Sequence, residues 1–123
     1  MHIARLMHSI GEYLSVKVHS CVDDTIVRED IRILKQGIHV VVGTPGRVNY
    51  LMSRGLLKSD YLKLFILDEA DELLSRRNKL QTQDIFKFLP VDIQICLFSA
   101  TLPPDILGFA KQFMINPAKV QSE

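Results

Sequence analysis

Three carboxylates follow an apolar run and offer the chemistry of nucleotide hydrolysis. The run covers residues 62–67, and Asp68, Glu69 and Asp71 come after it. The first carboxylate of such a segment can hold a hydrated magnesium ion, and the next can orient an attacking water. Acidic residues are also common in first helical turns, because they satisfy free backbone amides and the helix dipole. Taken alone, the segment leaves both interpretations open.

Two other polar clusters come after apolar runs. The sequence GTPGR at residues 43–47 follows one run, and SAT at residues 99–101 follows another. Thr44 and Pro45 predict a helix start, whose exposed amides together with Arg47 would suit a phosphate. An ordinary helix cap explains the first cluster equally well, and a strand-to-helix turn is the better explanation of the second.

The elements that must position these clusters alternate along the chain. Apolar runs predict strands at residues 15–21, 39–42, 62–67 and 93–98, and a last strand at 118–120. Helical spacing predicts helices over residues 3–14, from Thr25 to Gly37, from Thr44 to Gly55, up to Leu89, and from Pro104 onward. Strands apolar on both faces that alternate with helices predict an α/β fold, a parallel sheet with helices on both faces. Because ligands gather at the carboxyl ends of such strands, the three clusters should share one edge.

Composition narrows the class of protein further. The chain has 123 residues, 47% of them hydrophobic, which suits one globular domain. A formal net charge of +1 excludes a global basic field, so any RNA contact must be local.

Cys21 and Cys96 are interpreted as buried thiols in a reducing compartment. Without a signal peptide or an apolar stretch of ~18 residues, a soluble intracellular protein with no membrane contact is expected. No metal-ligand cluster is predicted, because the four histidines are scattered over positions 2, 8, 19 and 39.

The order and separation of the three clusters decide between the open interpretations. The segments at residues 40–48, 67–72 and 98–101 resemble three successive motifs of the DEAD-box family of ATP-dependent RNA helicases. Further stretches, at residues 27–30, 32–34 and 113–117, are similar to the branch of that family that works in translation initiation. The resemblance implies that residues 1–123 are part of the N-terminal RecA-like domain, which has the fold of P-loop NTPases.

The resemblance also assigns a nucleotide site. ATP and Mg²⁺ would be the cofactors, with Asp68 coordinating magnesium through water and Glu69 acting as the general base or as the residue that positions the attacking water. Asp68, Asp71, Ser99 and Thr101 would be the cofactor-binding residues. Asp71 would link to Ser99 and Thr101, which would couple the nucleotide state to RNA unwinding.

A second set of residues is assigned to RNA. Thr44, Pro45, Gly46 and Arg47 would hold the backbone of single-stranded RNA, with little sequence specificity. A scaffold protein of translation initiation is the other expected partner. The expected location is the cytoplasm, with the nucleus as the alternative.

Several features depart from the family's pattern. The 123 residues contain no GxxxxGK[ST] loop, and the adenine-recognition segment and the second RecA-like domain are also absent from them. Asp23 and Asp24 stand where the family has a glycine pair, and Arg77 and Asn78 stand where it has Gly-Phe. The chain alone is therefore predicted to be inactive. Two alternatives remain: a non-catalytic RNA- or scaffold-binding fragment, and an unrelated P-loop ATPase with a similar acidic motif.

Overall fold

Helices and parallel strands alternate along the chain. The computed structural model describes residues 2–75 and 77–122. The helices are α1 (His2–Ile10), α2 (Val27–Leu34), α3 (Pro45–Ser53), α4 (Ala70–Leu73), α5 (Lys79–Phe86) and α6 (Pro104–Phe113). The strands are β1 (Val18–Cys21), β2 (Val40–Gly43), β3 (Leu64–Leu67) and β4 (Gln94–Leu97). The predicted α/β class is confirmed.

The strands form two parallel pairs. β1 pairs with β2, and Cys21 lies opposite Gly43 where the two strands end. β3 pairs with β4, and Leu67 lies opposite Leu97 at their ends. Within residues 2–75 and 77–122, no further strand joins the two pairs. Within each pair the carboxyl ends are level, so the polar segments that follow the strands emerge side by side.

The larger core lies under the β3–β4 pair. Its buried members are Leu67, Ala70, Leu74, Ile106 and Phe109, contributed by β3, the α4 segment and α6. Aromatic rings extend this core. The Phe86 ring of α5 meets Phe65 edge-on at 5.1 Å and Phe109 at 5.0 Å between centroids. Edge-to-face contacts of this kind add to the stabilisation from apolar burial. They fix α5 and α6 against the strand that precedes the carboxylates.

Helix α3 connects the two strand pairs. It begins directly after β2 and packs against α5, which belongs to the other half of the fold. Leu51 of α3 is fully buried, and its neighbour Met52 is 6% exposed. The second half of α3 is therefore anchored in the interior by these two side chains.

Four predictions of local structure were wrong in detail. Helix α2 begins at Val27 instead of Thr25, because the Thr25 hydroxyl bonds to Val22 and Asp30 instead of capping the helix. The helical stretch ending near Leu89 is two helices, α4 and α5. Residues 118–120 form no strand. One face of β3 is not covered, since Leu64 and Ile66 are 46% and 43% exposed.

The break between α4 and α5 has a local cause. A helix end leaves carbonyl groups without intrahelical partners, and side chains often satisfy them. Here Thr82 of α5 is buried and donates its hydroxyl hydrogen to the Leu73 carbonyl at 3.0 Å, at the end of α4.

Among the described residues, no helix is long and apolar enough to cross a membrane.

Candidate functional site

The carboxylates after β3 lie at the protein surface. Asp68 and Glu69 are both exposed. Glu69 has φ 54° and ψ 51°, so the chain turns sharply at this residue before α4 begins. The Glu69 amide donates to Asp68 Oδ1 at 3.0 Å, which fixes the Asp68 carboxylate relative to the turn. The two side chains are therefore presented to solvent from a defined backbone conformation.

Asp71 joins this segment to the segment after β4. The Thr101 hydroxyl donates to Asp71 Oδ2 at 2.9 Å, and the Asp71 amide donates to Ser99 Oγ at 3.2 Å. The Ala70 amide also donates to the Phe98 carbonyl, at 2.9 Å. The hydrogen bond from Thr101 is the main reason that the pKa of Asp71 is lowered from its ordinary value. The predicted association of Asp71 with Ser99 and Thr101 is thus present as direct hydrogen bonds.

The chemistry of this edge fits a hydrated magnesium ion. Magnesium prefers oxygen ligands and keeps most of its water, so it is often bound through one or two carboxylates. Asp68 is exposed, and its Oδ1 accepts a hydrogen bond from the Glu69 amide. Its Oδ2 is left to accept hydrogen bonds from the ion's water ligands. Asp71 has both oxygens engaged, Oδ1 by the Glu72 amide and Oδ2 by Thr101. Asp68 is therefore the better magnesium ligand of the two.

The segment after β2 opens helix α3. Thr44 is the residue before the helix and Pro45 is its first residue, as predicted. The Thr44 hydroxyl, however, makes no capping hydrogen bond, and its oxygen is buried without a partner among the described residues. Gly43 is needed for packing, since a Cβ there would lie 2.5 Å from the Cys21 carbonyl oxygen and 2.5 Å from Val48. The start of α3 is thus pressed against β1.

Arg47 points into the protein. Its side chain is 10% exposed and forms an ion pair with Asp30 of α2, with Nη1 2.6 Å from Oδ2. Nη1 also donates to the Thr25 hydroxyl at 3.0 Å, and Nη2 donates to the Asp23 carbonyl at 3.2 Å. One guanidinium therefore ties α3 to α2 and to the turn between β1 and α2.

Asp30 is the centre of this network. It is 1% exposed, and its other oxygen, Oδ1, lies 2.8 Å from His19 Nε2. Because an ionised carboxylate only accepts, Nε2 must carry the shared hydrogen. Burial on its own would raise the pKa of Asp30, but hydrogen bonds from His19, Arg47 and Thr25 outweigh it and lower the pKa from its ordinary value of 3.8. Asp30 is therefore a buried, fully paired carboxylate.

Cys21 completes a group of metal-type ligand atoms. Its sulfur, a His19 nitrogen and an Asp30 oxygen all lie within 4.8 Å of one another, so the prediction that the histidines belong to no such cluster was wrong for His19. Burial, followed by the nearby Asp30 charge, raises the pKa of the Cys21 thiol to about 12. Arg47 already supplies the positive charge that the Asp30 carboxylate needs, at 2.6 Å. We interpret the group as part of the ion-pair network.

Comparison with known proteins gives the family. Residues 1–108 match the DEAD/DEAH box helicase family, which is most of the chain. The chain belongs to that family. The candidate segments of this DEAD-box chain are those described above, after β2, β3 and β4.

The relatives are translation initiation factors. The chain is 53% identical over 118 residues to eukaryotic initiation factor 4A of Drosophila melanogaster, covering 96% of this chain and 29% of the relative. Eukaryotic initiation factor 4A-1 of Arabidopsis thaliana gives the same 53% identity and the same coverage, 96% and 29%. The chain thus spans less than a third of their length and corresponds to the first RecA-like domain of a factor 4A-like DEAD-box protein. The identities to the insect and the plant relative are equal, so they do not favour either group.

Solved structures agree with the fold. A DEAD box protein from the hyperthermophile Methanococcus jannaschii superposes with a TM-score of 0.83 at 34% identity, over 94% of this chain and 32% of that one. Dbp5 of S. cerevisiae, bound to RNA and ADP BeF3, gives a TM-score of 0.81 at 29% identity, over 98% of this chain and 30% of that one. The predicted RecA-like class is confirmed.

The DEAD-box chain places its candidate residues in two groups. Asp68, Glu69, Asp71, Ser99 and Thr101 come together after β3 and β4. Residues 44–47 follow β2, in the other strand pair, and within them the Arg47 side chain bonds to Asp30 and Asp23.

Sequence reasoning missed Asp30, and one signal could have found it. Asp30 lies three residues after Val27 and four before Leu34. These are the spacings of a single helix face, so the acid falls on the apolar face of α2. An acidic residue on such a face needs a buried cation, and Arg47 supplies it.

Proposed function

We propose that the chain provides the magnesium-binding and RNA-contacting residues of an ATP-dependent RNA helicase of the translation initiation type. The observation that carries the proposal is the direct link between Asp71 and Thr101, at 2.9 Å. This hydrogen bond joins the segment after β3, which would meet the nucleotide, to the segment after β4. Such a link allows a change at one segment to move the other.

The nucleotide chemistry would be divided between two carboxylates. Asp68 is the residue to hold magnesium through water, and Glu69 is the residue to take a proton from the attacking water. The bound ion would neutralise charge on the phosphates. Both side chains are exposed, so a nucleotide can reach them. Asp71, Ser99 and Thr101 would couple the nucleotide state to RNA.

The RNA contact would be made at the start of α3, by residues 44–46, with the Arg47 side chain turned inward behind them. The start of a helix offers backbone amides to a phosphate, and contacts of this kind carry no sequence information. The solved structure of Dbp5 bound to RNA and ADP BeF3 supports both ligand classes for this family. Another neighbour is Dbp5 bound to Nup159 and Gle1, which supports a protein partner; for this chain we propose a scaffold of translation initiation. The cytoplasm, or the nucleus as the alternative, is the proposed location.

We also propose that the 123-residue chain alone hydrolyses ATP only at a background rate. It contains no GxxxxGK[ST] loop to bring the phosphates to Asp68 and Glu69. Positioning accounts for a large part of catalysis, so its loss should remove most of the rate. A non-catalytic RNA-binding role is the second candidate, favoured because Arg47 fixes the start of α3 through bonds to Thr25, Asp30 and Asp23 that require no nucleotide.

A chimera tests the catalytic proposal. The 118 matched residues would replace their counterparts in Drosophila factor 4A, to which they are 53% identical. RNA-stimulated ATP hydrolysis in the chimera, lost in its Glu69→Gln variant, is the expected result. A folded chimera without that activity would contradict the helicase assignment.

The isolated chain tests the rest of the proposal. We expect binding to a short unstructured RNA at low salt and only background turnover of magnesium-ATP. RNA-stimulated turnover that disappears in Glu69→Gln would show that the isolated chain is active. Absence of RNA binding at low salt would contradict the assignment of residues 44–47.

A further inference from the structure

Arg47 has little capacity left for a direct RNA contact. A guanidinium carries five N–H groups. Three of them are used inside the protein, by the Asp30 carboxylate, the Thr25 hydroxyl and the Asp23 carbonyl. The side chain is only 10% exposed. These bonds direct the guanidinium of Arg47 inward, toward α2. Any effect of Arg47 on RNA binding should therefore be indirect, through the backbone segments that its bonds hold in place.

Asp30 determines where Arg47 lies. Its Oδ2 is 2.6 Å from Arg47 Nη1, the shortest contact in the network, and the carboxylate is 1% exposed. The Thr25 hydroxyl stands 2.9 Å from the same oxygen, and His19 of β1 holds the other oxygen at 2.8 Å. Asp30 is thus anchored from β1 and from the turn, and it fixes the guanidinium in turn.

The network joins two backbone segments. One is the turn at residues 22–25, which Arg47 grips through the Asp23 carbonyl and the Thr25 hydroxyl. The other is the start of α3, where Arg47 is the third residue of the helix. A Cβ on Gly46 would lie 3.1 Å from Asp23 Oδ1, so the turn passes directly over the first turn of α3. Arg47 is thus bonded to the turn and to Asp30 while belonging to the start of α3, so it links the two segments directly.

We propose that Asp30 and Arg47 are positioning residues for the RNA contact, acting by fixing residues 44–46 against the turn at 22–25. Arg47 then contributes to RNA affinity through this arrangement and not through a phosphate contact of its own. The inference rests on the proposed function, because it assumes that residues 44–46 meet RNA.

The charge of Asp30 gives the test a clear sign. Asp30→Asn removes a negative charge near the RNA, so Coulomb repulsion alone predicts tighter binding. A positioning role predicts the opposite, because Arg47 loses the partner that places it. Glu29→Gln is the matched control: it makes the same change in charge one residue away on α2, where the Glu29 side chain is 52% exposed.

The experiment measures RNA affinity by fluorescence anisotropy between 50 and 200 mM salt, on variants shown to be folded by circular dichroism. We expect Asp30→Asn to weaken binding roughly fivefold or more, and Glu29→Gln to leave it unchanged within about twofold. Arg47→Ala should weaken binding without changing the slope of log affinity against log salt. Asp30→Asn combined with Arg47→Ala should bind no more weakly than the weaker single variant.

Three results would overturn the inference. The first is a folded Asp30→Asn variant that binds as tightly as the parent or more tightly, which a merely structural role predicts. The second is a salt slope reduced by ~0.7 in Arg47→Ala, the value for one phosphate contact on a single strand. The third is additive loss in the double variant.

A milder variant decides the question if Asp30→Asn does not fold. Thr25→Val removes the hydroxyl shared by Asp30 and Arg47 without changing charge, and we expect about a twofold to fivefold loss of affinity. An unchanged affinity in that variant would overturn the inference. If neither the parent nor Glu29→Gln binds RNA, the proposed function itself fails, and that result is distinct from the others.

Discussion

Thr101 donates its hydroxyl hydrogen to Asp71 Oδ2 at 2.9 Å, although 30 residues separate the two in sequence. The contact exists because β3 and β4 are parallel neighbours that end level with each other, at Leu67 and Leu97. The segments that follow these strands must then run side by side. The Thr101–Asp71 hydrogen bond therefore depends on the spacing between the segment after β3 and the segment after β4.

Removing the Thr101 hydroxyl should raise the pKa of Asp71. The Thr101 hydrogen bond is the largest cause of the lowered pKa, so Thr101→Val should return it toward the ordinary value of 3.8. Because the folded-state pKa is depressed, the stability that the bond contributes is present above pH ~4 and is lost as the pH falls through the folded value. Carbon-detected NMR titration of the carboxylates measures the change.

Ser99→Ala is the control for that titration. Ser99 accepts from the Asp71 amide and is the smallest of the causes that lower the Asp71 pKa. We expect a smaller rise than in Thr101→Val. An Asp71 titration that does not move in Thr101→Val would show that the bond is absent in solution.

Removal of Arg47 should destabilise the fold strongly. Arg47→Ala leaves the buried Asp30 carboxylate without its cation, and breaking a buried ion pair by removing one partner costs about 3–5 kcal/mol. Arg32→Ala is the control, because the Arg32–Glu29 pair is 59% and 52% exposed and exposed pairs contribute about 0–1 kcal/mol. Urea unfolding at pH 7 gives both free energies of unfolding.

Acid should reduce the difference between parent and Arg47→Ala. The parent loses the contribution of ionised Asp30 as the pH falls through a pKa held below 3.8. In the variant, burial without the cation raises that pKa, so Asp30 protonates earlier and the penalty shrinks. If Arg47→Ala lowers the free energy of unfolding by less than ~1 kcal/mol at pH 7, or if the difference from the parent grows in acid, Asp30 and Arg47 do not form a buried ion pair in solution.

Asp23 should oppose RNA more than Asp24 does. Its Oδ1 lies 3.1 Å from the position of a Cβ on Gly46, within the proposed contact. A unit charge ~4 Å from a phosphate is worth about 1 kcal/mol in water, so Asp23→Gly should raise RNA affinity roughly fivefold at low salt. Screening should reduce the gain at 200 mM salt. Fluorescence anisotropy with a short RNA measures it.

Asp24→Gly carries the same change in charge and serves as the control. Asp24 is exposed and makes no side-chain hydrogen bond within the described parts of the chain, so we expect a smaller gain. Equal gains from the two substitutions would mean that net charge matters and that the position of Asp23 does not.

Two glycines should respond oppositely to alanine. At Gly43 a Cβ would lie 2.5 Å from the Cys21 carbonyl oxygen, so Gly43→Ala should destabilise the protein by about 1–3 kcal/mol. At Gly108, inside α6, a Cβ meets nothing within 4 Å. Gly108→Ala should therefore stabilise by up to about 1 kcal/mol through helix propensity. Thermal and urea unfolding measure both; destabilisation by Gly108→Ala would show that α6 is not a regular helix there.

Much of the fold follows from local sequence. The apolar runs around Val41, Ile66 and Cys96 predicted strands correctly, and Pro45 and Pro104 marked helix starts. The failures depend on distant partners. Thr25 has the chemistry of a helix cap, but its hydroxyl is taken by groups that the fold brings near. Residues 118–120 are apolar enough for a strand, but a strand needs a neighbour to pair with, and local sequence does not specify one.

The candidate site divides in the same way. Asp68, Glu69 and Asp71 could be found because they follow a strand directly, and the link from Asp71 to Ser99 and Thr101 came from the family resemblance. The inward orientation of Arg47 could not be predicted, because it depends on Asp30, 17 residues earlier in the chain. A buried charge is assigned reliably only when its partner is known. Whether residues 44–47 bind RNA remains a prediction.

Glu69 has the left-handed backbone conformation described above, with φ 54°. For residues other than glycine this conformation costs on the order of 1–2 kcal/mol, and asparagine or glycine tolerates it better. A sequence optimised only for folding would therefore place one of those residues here. The glutamate is less stable in this backbone conformation than glycine or asparagine would be, but it places a carboxylate at this point of the turn. Under the proposed function, stability and chemistry make opposite demands on this single position, so substitutions that improve one should weaken the other.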